Sequence, residues 1–407
     1  MEKLNIPEDV LFIIDTLSSN GFSAYCVGGC VRDVLMKKEP ADWDICTNAL
    51  THQIIDTFKN YKIIETGIKH GTVTIIINNN LYEITTFRKD GKYTNMRHPE
   101  SVSFVDDIKD DLSRRDFTIN ALSYNHSSRI IDLFSGIEDL KNKVIRCINN
   151  PDTRFFEDAL RIMRAIRFSA VLGFCIEENT KLSVHKNKNL LKNISMERIS
   201  CEFLKIILCK NFDDFCEYND VFYVFLNNQK PFTKNFQKIL YSLPDNLIIR
   251  LLWLTIFLTD KNEIYAKELL KNLKIDGKTI KNITDAIFYY DSINYDDIKA
   301  IRRTLSKTGF LTFSNILSLK YYIYKNKNES DECQKIKNAE KLLKIIKDND
   351  LAVSVGQLKI SGKDLINSGI TDGKKIGMLL DKLLDMVIDE KTKNTKKALL
   401  STLEDLK

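Results

Sequence analysis

Residues 26–50 read CVGGCVRDVLMKKEPADWDICTNAL. Gly28 and Gly29 stand between the apolar run SAYCV and the helix-forming stretch VRDVLM, so the pattern predicts a short strand, a glycine turn and a helix. DWDICTN predicts the next strand. In a strand, residues i and i+2 share a face, which projects Asp42 and Asp44 together and turns Trp43 and Ile45 to the core. Two carboxylates held that close repel. A divalent cation removes the repulsion, since hard carboxylate oxygens are what Mg2+ prefers and its charge neutralises both groups. Backbone without Cβ approaches a phosphate closely, and the helix that follows offers unpaired N–H groups and a positive dipole end. Arg32, in the first turn, adds a cation suited to a polyphosphate. A bare D-x-D also occurs on exposed strand edges and in sugar-nucleotide transferases. Preceded by Gly-Gly and Arg32, it points to phosphoryl or nucleotidyl transfer.

Outward from this stretch, residues 7–20 predict an amphipathic helix ended by Asn20-Gly21, and TVTIIINNNLYEITTFR predicts two strands joined by an asparagine turn. RKDGKYTNMRHPES is a polar, glycine-bearing loop. SRRDFTINALSYN begins a helix or a strand–helix junction, and RIIDLFSGIEDLKNKVIRCI closes the unit. After Pro151 the apolar period becomes 3.6 almost throughout. Late in the chain, ISGKDLINSGITDGKKIGMLLDKLLDMVI predicts a compact helical module punctuated by Gly362, Gly369 and Gly373. The expected fold is α+β: a small mixed-sheet head over residues 1–141, then an all-α remainder.

Composition narrows the class. The 407 residues are 43% hydrophobic with 22 Phe, ample for buried cores, while 15 Gly and 6 Pro are too few for a many-turned β-sandwich. A net charge of +6 weakly favours a polyanionic partner and equally fits a lysine-rich solvated surface. Nine cysteines without a C-x2-C pair, and only five histidines, exclude an evident zinc constellation and fit free thiols in a reducing cytoplasm. The N-terminal stretch lacks a signal-peptide pattern, and no apolar run is long enough to span a membrane.

From Glu157, EDALRIMRAIRF reads as one helix, with Ala159, Ile162, Met163, Ile166 and Ala170 on an apolar face. Asp158, Arg161 and Arg164 fall on the opposite side, each at i+3 from the last. That array fits a surface ion-pair ladder; it also fits a protein template for a base. Cytosine and adenine each present an exocyclic amine beside a ring-nitrogen acceptor, which a carboxylate and a guanidinium complement; uracil and guanine present the reverse. Arg167 has drifted to the apolar edge, which fits a structural role. Arg114 and Arg115 read alternatively as an exposed basic pair, and Asn120 as a helix cap or core amide.

Four stretches together, GGCVRDVLM…DWDI, RRDFTINAL at 114–122, EDALRIMRAIRF at 157–168 and MERISCEFLKIIL from Met196, resemble the motifs of class II tRNA nucleotidyltransferases, the CCA-adding group of the DNA polymerase β superfamily. The resemblance covers about residues 20–210 closely, and ISGKDLI in the tail is similar again. It implies a head at 1–141, a nucleotide-selecting neck at 142–210, a body at 211–330 and a tRNA-binding tail at 331–407. It implies CCA addition to tRNA from CTP and ATP, with Asp42 and Asp44 catalytic and holding Mg2+. It places Gly29, Arg32, Arg115, Asp158, Arg161, Arg164 and Arg167 in the nucleotide site, and it makes Glu83, in LYEITTFR, a candidate third carboxylate. Products limited to CC or A, and a bacterial poly(A) polymerase, are the alternatives. The loop from Phe87 to Pro99 bears on that choice, with Asn95 and His98 departing from the family's usual Asp and Arg and with Arg88 and Arg97 as basic residues of the same stretch. LKYYIYKNKN at 319–328 and KTKNTKK at 391–397 are candidate contacts to RNA phosphate or solvated helix faces. The chain is expected to be cytoplasmic, and a monomer or homodimer.

Overall fold

The computed structural model describes residues 4–68, 71–91 and 102–406, and its contacts divide the chain into two compact units, Met1–Gln229 and Lys230–Lys407. Unit 1 opens with α1 (Glu8–Ser19), β1 (Ala24–Val27), α2 (Gly29–Leu35), β2 (Asp44–Thr47), α3 (Thr51–Thr57), β3 (Lys62–Ile64), β4 (Thr72–Ile77) and β5 (Asn80–Thr86). It continues through β6 (Arg88–Asp90), β7 (Val102–Phe104), α4 (Ile108–Ser113), β8 (Leu122–Asn125), β9 (Arg129–Asp132), α5 (Gly136–Asn142) and β10 (Val144–Ile145). The main sheet runs β3-β4-β5-β2-β1-β8-β9 and is mixed: β2 and β5 are parallel and the other neighbours antiparallel.

Local chemistry accounts for these elements. β4 and β5 alternate buried and open positions, as strands with one covered face do. Asn78 and Asn79 both take positive φ (50° and 66°) between Ile77 and Asn80, the primed-turn geometry whose twist suits a two-residue hairpin. Val10, Ile13, Ile14 and Leu17 of α1 bury one stripe against Ala24, Ile45, Val73, Ile75 and Ile84, and each such side chain contributes roughly 1.5–3 kcal/mol of apolar burial. Trp43 and Ile45 pack into or against this core, the side expected of them.

Beyond the sheet, unit 1 turns helical: α6 (Pro151–Glu157), α7 (Leu160–Leu172), a two-residue strand β11 (Cys175–Ile176) beside β10, then α8 (Glu178–Asn187), α9 (Met196–Leu208) and α10 (Asn219–Leu226). The continuous helix expected from Glu157 is broken. Asp158 has φ −140° and ψ 103°, and its side chain accepts from Leu160 N at 3.1 Å. An aspartate that caps the next helix competes with continuing the previous one, and here the cap prevails. Ala159, Ile162, Met163, Ile166 and Ala170 are all buried, so the apolar face is as read.

Unit 2 is all helical: α11 (Lys234–Ser242), α12 (Leu247–Thr259), α13 (Glu263–Asn272), α14 (Gly277–Tyr289), α15 (Ile298–Asn326), α16 (Ser330–Asp348), α17 (Gly362–Asn367), α18 (Gly373–Ile388) and α19 (Lys396–Leu406). α12, LIIRLLWLTIFLT, is apolar on nearly all sides and lies inside the unit, its first turn capped by Asn246. Leu365, Leu383, Leu399 and Leu403 centre the terminal cluster, with α17 and α18 starting at Gly362 and Gly373 and Gly369 between them at φ 89°. Among the described residues no helix is long and apolar enough to cross a membrane.

Candidate active site

β1 delivers the chain into Gly28, whose φ of 84° and ψ of −127° suit only glycine, and whose N–H donates to Leu122 O at 2.9 Å. A Cβ at Gly28 would lie 2.9 Å from Arg115 Nη1, so the bare backbone makes room for that guanidinium. The close approach found here is arginine on Gly28, and α2 begins directly after it at Gly29.

β2 starts only at Asp44. Asp42 lies in the exposed segment before it, a correction to the expected strand DWDICTN. The two carboxylates still act on each other. Asp44 keeps an open flank, yet lost hydration first, then the charge of Asp42, raise its pKa; Arg115 opposes this and Glu83 adds to it. Among the described residues neither aspartate has an ion-pair partner. Glu83 is registered beside Asp44 across the parallel β2–β5 pair. Among the described residues, no group of three or more His, Cys, Asp or Glu is placed to hold a metal ion. Two protein carboxylates suit Mg2+, which is held by one or two carboxylates while substrate phosphates and water fill its other positions.

The arginines are sorted by the carboxylates around them. Asp111, fully buried, takes Arg114 at 2.6 Å and Arg115 at 3.2 Å, so this pair is anchored rather than an exposed basic patch. Burial alone would lower the Arg115 pKa, but Asp111 and neighbouring negative groups, Asp44 among them, outweigh it and raise it. Arg115 Nε is buried with no hydrogen-bond partner among the described residues. Arg32, 8% exposed, holds Asp33 at 2.8 Å and donates from Nη1 to Asn120 Oδ1 at 2.7 Å. Asn120 donates on to Asp116 Oδ1 at 3.2 Å, and Asp116 Oδ2 binds Arg164 at 2.5 Å. Desolvation pushes the Asp116 carboxyl up, but Arg164, Arg161 and the Asn120 hydrogen bond win and hold it at about 2. Arg167 pairs with Glu202 of α9.

The expected template residues are placed differently from the helical reading. Asp158 sits at the helix break and takes both terminal nitrogens of Arg198, at 2.9 and 3.3 Å. Arg161 is 8% exposed rather than on a solvated face; it donates to Glu157 Oε2 at 2.8 Å, Arg114 O at 2.8 Å and Arg154 O at 3.2 Å. Asp158 and Arg161 therefore engage different partners and do not pair as an i+3 ladder. Arg198, Glu202, Asp116 and Asn120 are partners of the expected site residues that the sequence does not assign, although Arg198 and Glu202 lie inside MERISCEFLKIIL and Asp116 and Asn120 inside RRDFTINAL.

Asn95, Arg97 and His98 lie outside the described residues; what is described of that loop begins as β6, paired with β7 from Arg88↔Phe104 to Asp90↔Val102. In unit 2, Lys320 of LKYYIYKNKN is no surface cation. It is 8% exposed, with Tyr290 and Tyr295 ring centroids 5.0 and 5.8 Å from its Nζ. In KTKNTKK, Lys391 and Lys396 are exposed and paired with Asp389 and Asp364.

Family models described as a Poly A polymerase head domain, a probable RNA and SrmB-binding site of polymerase A, and a putative tRNA nucleotidyltransferase domain 2 match residues 24–146, 173–217 and 249–403. The CCA-adding enzyme of Lactobacillus helveticus is 34% identical over 403 residues, covering 97% of this chain and 96% of the relative. The crystal structure of Bacillus stearothermophilus CCA-adding enzyme in complex with CTP superposes with a TM-score of 0.76 at 25% identity, covering 97% of this chain and 96% of that one. The Thermotoga maritima CCA-adding enzyme complexed with tRNA_CCA shares the fold, with a TM-score of 0.68 at 23% identity over 99% and 97% of the two chains. With its mixed-sheet head, its helical remainder and near full-length likeness to these enzymes, the chain belongs to the CCA-adding enzymes, the class II tRNA nucleotidyltransferases.

Proposed function

We propose that this protein adds C, C and A in turn to the 3′ end of tRNA from CTP and ATP without a nucleic-acid template, releasing pyrophosphate at each step. The observation that carries the reading is that two carboxylates without an ion-pair partner among the described residues, Asp42 and Asp44, share one fold unit with a set of carboxylate-anchored arginines, one of which, Arg115, acts on Asp44. Asp42 and Asp44 would hold divalent cations, for which Mg2+ fits the donor set; when bound, these ions activate the RNA 3′-hydroxyl and neutralise charge on the triphosphate. The protein itself supplies position and charge. Gly28 lets Arg115 approach the turn after β1, Gly29 starts α2, and Arg32, Arg115, Arg164 and Arg167 offer guanidinium donors to the triphosphate. Asp158 accepts from the exocyclic amine of cytosine or adenine and Arg161 donates to the neighbouring ring nitrogen. For that, Asp158 must share or release Arg198, and Arg161 must do the same with Glu157. The functional division we propose is head 1–141, neck 142–210, body 211–330 and tail 331–407, the last contacting tRNA.

A direct test incubates tRNA trimmed to its discriminator base with CTP, ATP or both, and Mg2+, and sizes the products. Extension by CCA supports the reading. A stop after CC or addition of A alone restricts it, and long A tails replace it with poly(A) polymerase activity.

A further inference from the structure

Phe168 stands out because its neighbours are charges. The ring is 5% exposed, and the guanidinium carbons of Arg32, Arg164 and Arg167 lie 5.3, 5.2 and 3.8 Å from its centroid. Arg32 comes from α2, at the glycine turn, while Arg164 and Arg167 come from α7, on the far side of the sequence. The edge of Phe117, fully buried, fixes the ring at 5.7 Å and 81°. Three cations around one side chain repel one another. Two features offset this. Each guanidinium has its own carboxylate: Asp33 for Arg32, Asp116 for Arg164 and Glu202 for Arg167. The π face of the ring is negative and attracts all three. The crowding is visible in Arg167, whose pKa burial and the nearby Arg164 press down against the pull of Glu202.

Among the described residues, Asp116 takes Nε and Nη2 of Arg164 and Glu202 takes Nε of Arg167, whereas all three nitrogens of Arg32 are engaged, Nε and Nη2 by Asp33 and Nη1 by Asn120. A triphosphate entering here would compete for these donors with Asp33, Asp116 and Glu202. The ring is the one contact common to all three guanidiniums that such competition would not touch. A leucine or methionine would fill the same space with no attractive face.

We propose that Phe168 is a positioning residue for nucleotide binding: its ring holds Arg32, Arg164 and Arg167 as one array, tying the glycine turn to α7, that receives the triphosphate. This rests on the CCA-adding reading given above. Phe168→Leu, with Phe168→Met as a second ringless variant and Phe168→Tyr as the ring-retaining control, tests it by kinetics well below each variant's melting temperature. Expected are KM values for CTP and ATP, and the inhibition constant of inorganic tripolyphosphate, raised about tenfold in both ringless variants and restored to within about twofold by Phe168→Tyr. The KM for tRNA and the preference for CTP over UTP should not move, because neither senses the triphosphate array. Unchanged tripolyphosphate inhibition in a folded Phe168→Leu or Phe168→Met protein overturns the proposal. So does a loss in Phe168→Tyr equal to that in Phe168→Leu, since volume rather than the ring face would then matter. If wild-type protein adds no C or A to tRNA, the functional reading fails instead, and tripolyphosphate binding by the same variants, followed by calorimetry, still decides the role of the ring.

Discussion

Asp116→Asn removes one charge from the centre of the arginine network while keeping the side chain's size. Asp116 is 7% exposed and accepts from Phe117 N at 2.8 Å, Asn120 at 3.2 Å and Arg164 at 2.5 Å. Its carboxyl is lowered from 3.8 to about 2, with burial opposing and Arg164, Arg161 and Asn120 prevailing. A folded-state pKa below the unfolded value means that ionisation stabilises the native protein. That stability is fully present above the unfolded value near 3.8 and is lost as pH falls through the folded value near 2. At 1.36 kcal/mol per unit, the shift corresponds to about 2.5 kcal/mol at neutral pH. Asn resembles the protonated acid, so the variant should be less stable than wild type by about 2–3 kcal/mol at pH 7, converging on it as pH falls from about 4 to 2. The assay is urea unfolding followed by Trp43 fluorescence in a Trp253→Phe background, which reports unit 1 without unit 2. A difference under about 0.5 kcal/mol at pH 7, or one that persists unchanged at pH 2, refutes the placement of Asp116 as the network's buried anion.

Other expectations follow from single contacts. Gly28→Ala puts a Cβ 2.9 Å from Arg115 Nη1 at a backbone conformation only glycine favours, so thermal unfolding should show a loss of roughly 1–3 kcal/mol, with KM for CTP and ATP raised. Asp42→Ala should abolish C and A addition while a tRNA gel-shift remains unchanged; residual turnover above about 1% of wild type would remove Asp42 from the catalytic role. Asp158→Ala should lower the preference for C and A over U and G by about tenfold or more in competition assays, and undiminished selectivity would reject it as template. Arg198→Ala frees the Asp158 carboxylate; it should change base selectivity while leaving tripolyphosphate inhibition as in wild type, a split that a global loss of structure would not produce.

What was legible in the sequence is what local spacing dictates. Gly28-Gly29 before a helix, Asp42 and Asp44 at the head of a strand, and the Asn78-Asn79 hairpin each depend on a few neighbouring residues, and each lies where it was read, apart from the strand's first two residues. The apolar stripe of α7 is likewise a property of its own period. Less legible was which charge meets which. Spacing alone sets Asp158 at the start of an i+3 row with Arg161, but its partner is Arg198, and Arg167 answers to Glu202. A carboxylate at a helix start can cap the backbone or continue the turn, and only its surroundings choose between them.

The sequence by itself therefore determined most element types and the family motifs, because a strand's period of two and a helix's of 3.6 are written into neighbouring residues. Tertiary structure alone decided that β2 pairs in parallel with β5, that Arg161 is buried among backbone carbonyls and Glu157, and that Phe168 gathers arginines from α2 and α7. These pairings join residues distant in the chain. Several arginines and carboxylates are chemically interchangeable in sequence, and packing of the elements fixes which fall within hydrogen-bonding reach.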